Sequence, residues 1–320
     1  MPSDKTTALR EALFEDLQGF EDITNSKPML AHYTSIQTIE LILKNDELWL
    51  SHPLNMNDHQ ELIGGLSFAM RAINECKDLY EAFEKAEQYH LFLSEFQGWQ
   101  NSYGENDAFD LYVACFSRHN VAQPDGRLAM WRGYGDYGNG AAIVIDSSKL
   151  QPVEENPLVL AAVNYGTDED RYQWCQEKVR AVADHILRFG LADTDIREAA
   201  YYVFQRFLLF SLFSKHIGFS EEEEWRVVYM KDRDTDRLFT PMFGYAHGRF
   251  GLEPKLKLKL DGKTPHFPSD FRLEDIIHSI IIGPRASSPL SRYATRRMLE
   301  QIGKGGLREH VHTSTIPFRE

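Results

Sequence analysis

Leu30-Ala-His-Tyr-Thr-Ser-Ile-Gln-Thr-Ile-Glu-Leu-Ile-Leu-Lys-Asn-Asp-Glu-Leu-Trp-Leu-Ser51 has the pattern of a strand, a helix and a second strand. Pro28 precedes a β-rich run, Met29–Tyr33, which reads as a strand. Ile36, Ile39, Ile42 and Leu43 then recur at helical spacing and form one apolar stripe. Thr34-Ser-Ile-Gln37 matches a capping box: the Thr34 hydroxyl accepts an orphan N–H while Gln37 reaches back. Asn45-Asp46 ends the helix, and Leu48-Trp49-Leu50 begins a second strand. The cluster His32-Tyr33-Thr34-Ser35 at the first strand-to-helix junction is more polar than folding alone requires. Later residues are expected to converge on it.

Outward from this unit, helical and strand patterns alternate without a βαβ rhythm. Residues 5–20 have the spacing of a short amphipathic helix. Asn57 or Asp58 can cap a helix, and residues 62–103 read as two or three helices. Leu111–Ser117 is a nearly continuous apolar, β-rich run, the pattern of a buried central strand. Pro124-Asp-Gly126 is a turn, and strands are expected at Ala141–Ile145 and Leu158–Val163. Two helices follow at residues 169–189 and 195–216, the second strongly apolar. Strands then read at 225–230, Leu256–Leu260, Ile276–Ile282 and His310–Thr315, with a helix over 288–302. The pattern predicts an α+β protein, not a doubly wound sheet. The expected layout is an N-terminal helical extension over 1–28, then one α+β domain over 29–320. Helical insertions interrupt that domain at about 62–105 and 169–216.

The formal net charge of -13 and pI near 5.4 argue against a general nucleic-acid coat protein, which needs a basic face. A local basic pocket for a small phosphate ligand stays compatible with that balance. Cys76, Cys115 and Cys175 are odd in number and widely spaced, which disfavours a disulfide framework or zinc knuckle. Cys115 is expected in the core. No apolar signal segment opens the chain and no run of 18 apolar residues occurs, so the expectation is a soluble, cytoplasmic protein without membrane contact.

Neither a G-x-G-x-x-G after a strand nor a P-loop is present. His310-Val-His312 would put two imidazoles on one strand face, without a third metal ligand nearby, and no metal is expected. Glu253-Pro-Lys255 loosely matches the E-x-K of some nucleases, but Pro254 is expected to spoil the strand such a site needs. Two segments keep alternatives open. Trp131, Tyr134 and Tyr137, among Gly133, Gly135, Gly138 and Gly140, either roof the core or form a slot for a planar ligand. The acidic run Glu221–Glu224 before Trp225-Arg226 either forms a salt-bridge network with Arg226 or presents Glu222 and Glu224 as paired carboxylates at a strand entrance.

His32-Tyr-Thr-Ser35, Asn57-Asp58…Glu61, Cys115-Phe-Ser117, Met130-Trp131…Tyr134-Gly135…Gly140 and Glu222-x-Glu224-Trp-Arg226 occur in that order. The ordered set resembles a bacterial family known as domain of unknown function 2971, over roughly residues 29–320. The opening unit also resembles the first strand and helix of ADP-ribosyltransferase-fold proteins, which have a split sheet core. That second resemblance implies NAD as a substrate. His32 would hold a ribose, with Tyr33 and Thr34 beside it, Tyr134 would stack on nicotinamide and Trp131 would line the slot. Ser117 would support the glutamate, and Arg118, Arg132 or Arg226 would hold the pyrophosphate. Glu224 would stabilise the oxocarbenium ion and Glu222 would select the acceptor, a protein or nucleic acid. The implied activity is ADP-ribosyl transfer or NAD hydrolysis, as in toxins and anti-phage effectors. The alternatives are a non-catalytic ligand-binding or regulatory module, and a metal-dependent nuclease. The chain departs from the family pattern in lacking a Ser-Thr-Ser triplet.

Overall fold

The computed structural model describes residues 3–16, 26–53, 59–105, 111–150, 156–248 and 251–318. Its strands are β1 (Met29–Thr34), β2 (Glu47–Ser51), β3 (Leu111–His119), β4 (Ala141–Asp146), β5 (Leu158–Ala162), β6 (Asn164–Gly166), β7 (Ser214–His216), β8 (Glu224–Met230), β9 (Phe243–Gly248), β10 (Gly251–Lys259), β11 (Ile277–Ile282) and β12 (Val311–Thr313). Its helices are α1 (Asp4–Phe14), α2 (Ile36–Asn45), α3 (His59–Glu75), α4 (Lys77–Ala82), α5 (Ala86–Glu105), α6 (Leu128–Gly133), α7 (Asp168–Phe189), α8 (Ile196–Leu212), α9 (Leu273–Ile276) and α10 (Pro289–Gln301). The α+β class is as expected. The candidate caps Asn57 and Asp58 lie outside the described residues.

Two compact units share the chain. The first gathers residues 1–20, 53–109 and 163–220. The N-terminal helix, which the sequence leaves as an extension, therefore joins the two helical insertions in one unit. Its centre is α8, buried on nearly every face, as its apolar run from Tyr201 to Phe213 requires. Arg206 of α8 is buried. Its Nε donates to the Leu13 carbonyl at 3.1 Å, and its guanidinium lies over the Trp174 ring at 4.5 Å. Residues 214–216 are a strand paired in parallel with β6, not the end of a helix.

The second unit gathers residues 21–52, 110–162 and 221–320 around a mixed, largely antiparallel sheet. Its main path runs β12-β11-β4-β1-β3-β2-β10-β9, with β8 on β3 and β5 on β8. The stretch Leu30–Ser51 supplies β1, α2 and β2 as read. Ser35, not Thr34, caps α2: its side chain accepts the Thr38 N–H at 3.1 Å, while Thr34 still belongs to β1. Asp46 ends the helix in the left-handed region, and its N–H bonds the Ile42 carbonyl. Pro254 lies inside β10 and does not spoil it. There it pairs with Tyr245 of β9, and the β2 pairing begins only at Lys255, so the missing N–H falls where β10 is still an edge.

One edge of β3 is shared by two strands. β1 pairs with Ser117–His119, and β2 pairs at Val113. The sheet splits between them, and the other edge of β3 carries β8 along its length. Directly opposed residues of antiparallel strands point to the same face, and successive residues alternate. Ala31 opposes Ser117, and Ser117 opposes Glu224, so these three share a face with Tyr33 and Arg226. Leu30, His32, Phe116 and Trp225 point to the other. The packing follows this division. Leu30, Phe116, Ile143, Ile145 and Trp225 belong to the larger core cluster, and Ala31, Tyr33, Trp131, Ala142 and Val144 to the smaller.

Gly140 is pressed against backbone. A Cβ there would lie 2.2 Å from the Thr34 carbonyl oxygen and 2.8 Å from that of Gly135, neither of which can rotate away. Gly140→Ala is expected to lower stability by about 1–3 kcal/mol, the usual cost of overpacking, read as a reduced urea midpoint.

Candidate functional site

The smaller core cluster carries a polar layer built from five segments of the sheet-bearing unit. The turn at Pro124–Gly126 begins it. Gly126 has φ 77°, and a Cβ there would meet the Tyr33 hydroxyl at 2.7 Å, so the turn closes directly over Tyr33. Beyond the turn, the Arg127 N–H donates to Tyr33 Oη at 3.1 Å. Burial pushes the Tyr33 phenol above its usual pKa, partly offset by this bond and by the Arg127 charge. Trp131 of α6 is fully buried, stands edge-on to Tyr33 at 4.8 Å and donates Nε1–H to the Asp125 carbonyl at 2.9 Å. It roofs the core and does not form one wall of an open slot. Tyr137 is 71% exposed.

The acidic run wraps this layer. Arg127 organises its first half: Nη1 donates to the Glu221 carbonyl at 3.2 Å, Nη2 pairs with Glu223 at 2.6 Å, and Nε donates to the Arg118 carbonyl at 3.2 Å. Glu223 has φ 41°, a kink that turns the chain into β8. Ser117 is fully buried and donates to the Glu222 carbonyl at 2.6 Å. Tyr134 donates its hydroxyl to Glu222 Oε1 at 2.9 Å. Glu222 and Tyr134 are both half-buried, whereas Glu224 is buried.

Glu224 is closed. It is 4% exposed and bound in a bidentate fork by Arg226, equally buried, with Nε to Oε1 at 2.8 Å and Nη2 to Oε2 at 3.0 Å. The two sit at i and i+2 of β8, hence on one face. Of the two readings of the acidic run, the salt-bridge network describes Glu224 and Arg226. Arg226 is thereby committed to a carboxylate and does not present itself to a pyrophosphate, whereas Arg118 and Arg132 are exposed.

His32 does not meet Glu224. The register sends it to the opposite face, where its ring packs against Phe116 at 5.5 Å. Nδ1 donates to the Cys115 carbonyl at 2.9 Å, within the split between β1 and β2. The convergence of Glu224 on the His32 cluster is therefore not formed, for reasons of strand parity. Cys115 is half-buried and not in the core; Cys175 is the buried thiol, pushed up to about 12 by burial. His310 lies in the 3-10 turn Gly305–His310 and its Nδ1 donates to the His278 carbonyl, so His310 and His312 do not form one strand face. Among the described residues, no group of three or more His, Cys, Asp or Glu side chains is arranged to hold a metal. Also among them, no helix is long and apolar enough to cross a membrane.

Arg127 is the residue sequence reading passed over. Its available signal was its position directly after the Asp125-Gly126 turn, as a cation to balance four successive glutamates.

Residues 130–227 match the family described as protein of unknown function (DUF2971), so the match spans the aromatic–glycine segment and ends one residue beyond Arg226. No curated protein and no solved structure matches the chain.

Removing one member of a buried ion pair leaves an uncompensated charge. Glu224→Ala is expected to cost about 3–5 kcal/mol in chemical denaturation, and the pair of changes Glu224→Leu with Arg226→Met to recover most of it. Burial holds the His32 pKa below its ordinary value, against the opposing effect of the Cys115 bond. As pH falls through 6.5 the unfolded chain takes up a proton that the folded chain refuses, so stability falls with it. A His32→Gln variant should lose less stability than wild type between pH 7 and pH 5, measured by denaturation midpoints.

Proposed function

We propose that the chain is an NAD-consuming enzyme, an ADP-ribosyltransferase or NAD glycohydrolase, in which Glu222 and not Glu224 opposes the developing ribose charge. The observation that carries this reading is the contrast between neighbouring glutamates. Glu224 is sealed by Arg226, while Glu222 is only half-buried and its carboxylate is oriented by the Tyr134 hydroxyl. Breaking the nicotinamide–ribose bond sends the bonding pair to nicotinamide and leaves positive charge on the ribose. A fixed carboxylate beside that carbon stabilises the transition state more than the ground state. It can then take the proton of the attacking water or acceptor hydroxyl. Tyr134 acts here as the positioning residue, and exposed Arg132 is the nearest cation in sequence for a pyrophosphate. The split sheet, with His32 inside the split, agrees with the resemblance to the ADP-ribosyltransferase fold. The role in toxicity or phage defence follows from that resemblance alone.

A second reading, a binding or regulatory module without catalysis, is favoured by one specific fact: His32 and Glu224 stand on opposite faces of the sheet. Incubation with NAD, followed by chromatography of nicotinamide, separates the two. The enzyme reading expects release by wild type, a drop of about 100-fold or more in Glu222→Gln, and an unchanged melting temperature for that variant. Binding of NAD by calorimetry without release supports the module. Neither binding nor release rejects NAD as the ligand.

A further inference from the structure

The other face of the same sheet holds a cavity of about 510 Å³, bounded wholly by residues of the sheet-bearing unit. That volume is in the range of small-molecule sites, about 300–1,000 Å³. Leu30, Phe116 and Ile145 form its floor on β1, β3 and β4. Leu160 and Val227 continue the floor on β5 and β8, and Phe267 and Phe271 close it from the loop after β10. By their pairing, all these strand residues lie on the His32 side, away from Glu224. The site is therefore independent of the NAD reading.

The cavity is amphipathic, and its polar groups gather at one end. Met29 opposes Asp146, so Lys27, two residues before Met29, and Ser147, one residue after Asp146, come to the same end of the sheet. Lys27, Ser147 and Ser148 all line the cavity there, with Asn156 as the remaining polar lining residue. Ser147 is 3% exposed, and its hydroxyl has no hydrogen-bond partner among the described residues. A buried hydroxyl is costly to leave unpaired, and native structures rarely do so without a water or ligand to complete it. The neighbouring carboxylate of Asp146 is engaged by the Ser148 N–H at 3.0 Å and the Ser148 hydroxyl at 2.6 Å. Lys149 is turned to the Asp275 carbonyl at 2.7 Å. Among the described residues, the cation lining the cavity is thus Lys27.

These features fix the ligand class. A nucleotide would strand its ribose hydroxyls and phosphates against leucine and phenylalanine, which have nothing to bond them. One ammonium and one unpaired hydroxyl at one end of an apolar chamber suit a single negative charge on an unbranched apolar tail. We infer that this cavity binds an anionic single-chain amphiphile of the fatty-acid class, with its carboxylate against Lys27 and Ser147 and its chain along Leu30, Phe116, Leu160 and Val227.

The test is calorimetric titration of the full chain with n-alkyl carboxylates of increasing length, kept below their micellar concentrations, and with the n-alcohol matching the tightest binder. Saturable one-to-one binding is expected, tightening about fourfold per methylene until the cavity is full. The alcohol should bind at least tenfold more weakly. Lys27→Glu, at an exposed position, should cost at least tenfold, and Ser147→Ala severalfold, with melting temperatures of the free proteins not lowered. Val227→Trp, which fills the chamber, should abolish binding. Absence of saturable binding to the folded wild-type chain overturns the inference, as does binding that ignores chain length or is unchanged in both Lys27→Glu and Val227→Trp. Nicotinamide release from NAD, measured with and without the carboxylate, keeps this result separate from the fate of the enzyme reading.

Discussion

Everything proposed for this protein depends on the register that sets Ala31 opposite Ser117 and Ser117 opposite Glu224. Because strand residues alternate faces, three paired positions decide where every neighbouring side chain points. Tyr33, Ser117, Glu224 and Arg226 fall on one side with the buried Trp131, and His32, Phe116 and Trp225 on the other. A slip of one residue would exchange the two sets, turning a carboxylate into the larger core and misplacing the apolar side chains that pack on both faces. The apolar contacts on both faces prevent that slip. The Glu224–Arg226 fork then becomes possible without an orphaned charge on either side.

The split in the sheet follows from the same region. β1 and β2 meet one edge of β3 at different heights, since α2 must pass between them, and the Nδ1–H of His32 reaches the Cys115 carbonyl in the opening. On one face the acidic run is held at the Ser117–Arg118 end of β3 by Arg127, Ser117 and Tyr134. On the other, the apolar surface does not close completely, and the cavity remains. The two faces thus differ in chemistry: charged, hydrogen-bonded and partly wet on one, and apolar with a single polar end on the other.

Local features were legible in the residues because they depend on neighbours in sequence. The strand–helix–strand unit at Leu30–Ser51 announced itself through its apolar stripe and its Asn45-Asp46 stop. Leu111–Ser117 read as a central strand from its unbroken apolar run. Where two adjacent residues offered the same chemistry, as with Thr34 and Ser35, local pattern could not choose the cap; the length of β1 did. Pro254 was misjudged because proline is harmful only where a neighbour needs its N–H, and the pairing partner lies some 200 residues away in β2. The same holds for the site. Glu222 and Glu224 look alike in sequence, and only the pairing of β8 with β3 buries one under Arg226 and leaves the other half-buried in the turn before the strand. His32 and Glu224 were natural partners by residue type, but their separation is a matter of parity across three strands, which no local motif encodes.

The most direct measurement of the account is a crystal structure of the chain with NAD or a non-hydrolysable NAD analogue bound. The account predicts the nicotinamide ribose against the Glu222 carboxylate and the Tyr134 hydroxyl, with the Glu224–Arg226 fork intact. A ribose seated against His32, or one that opens the fork to reach Glu224, would contradict it.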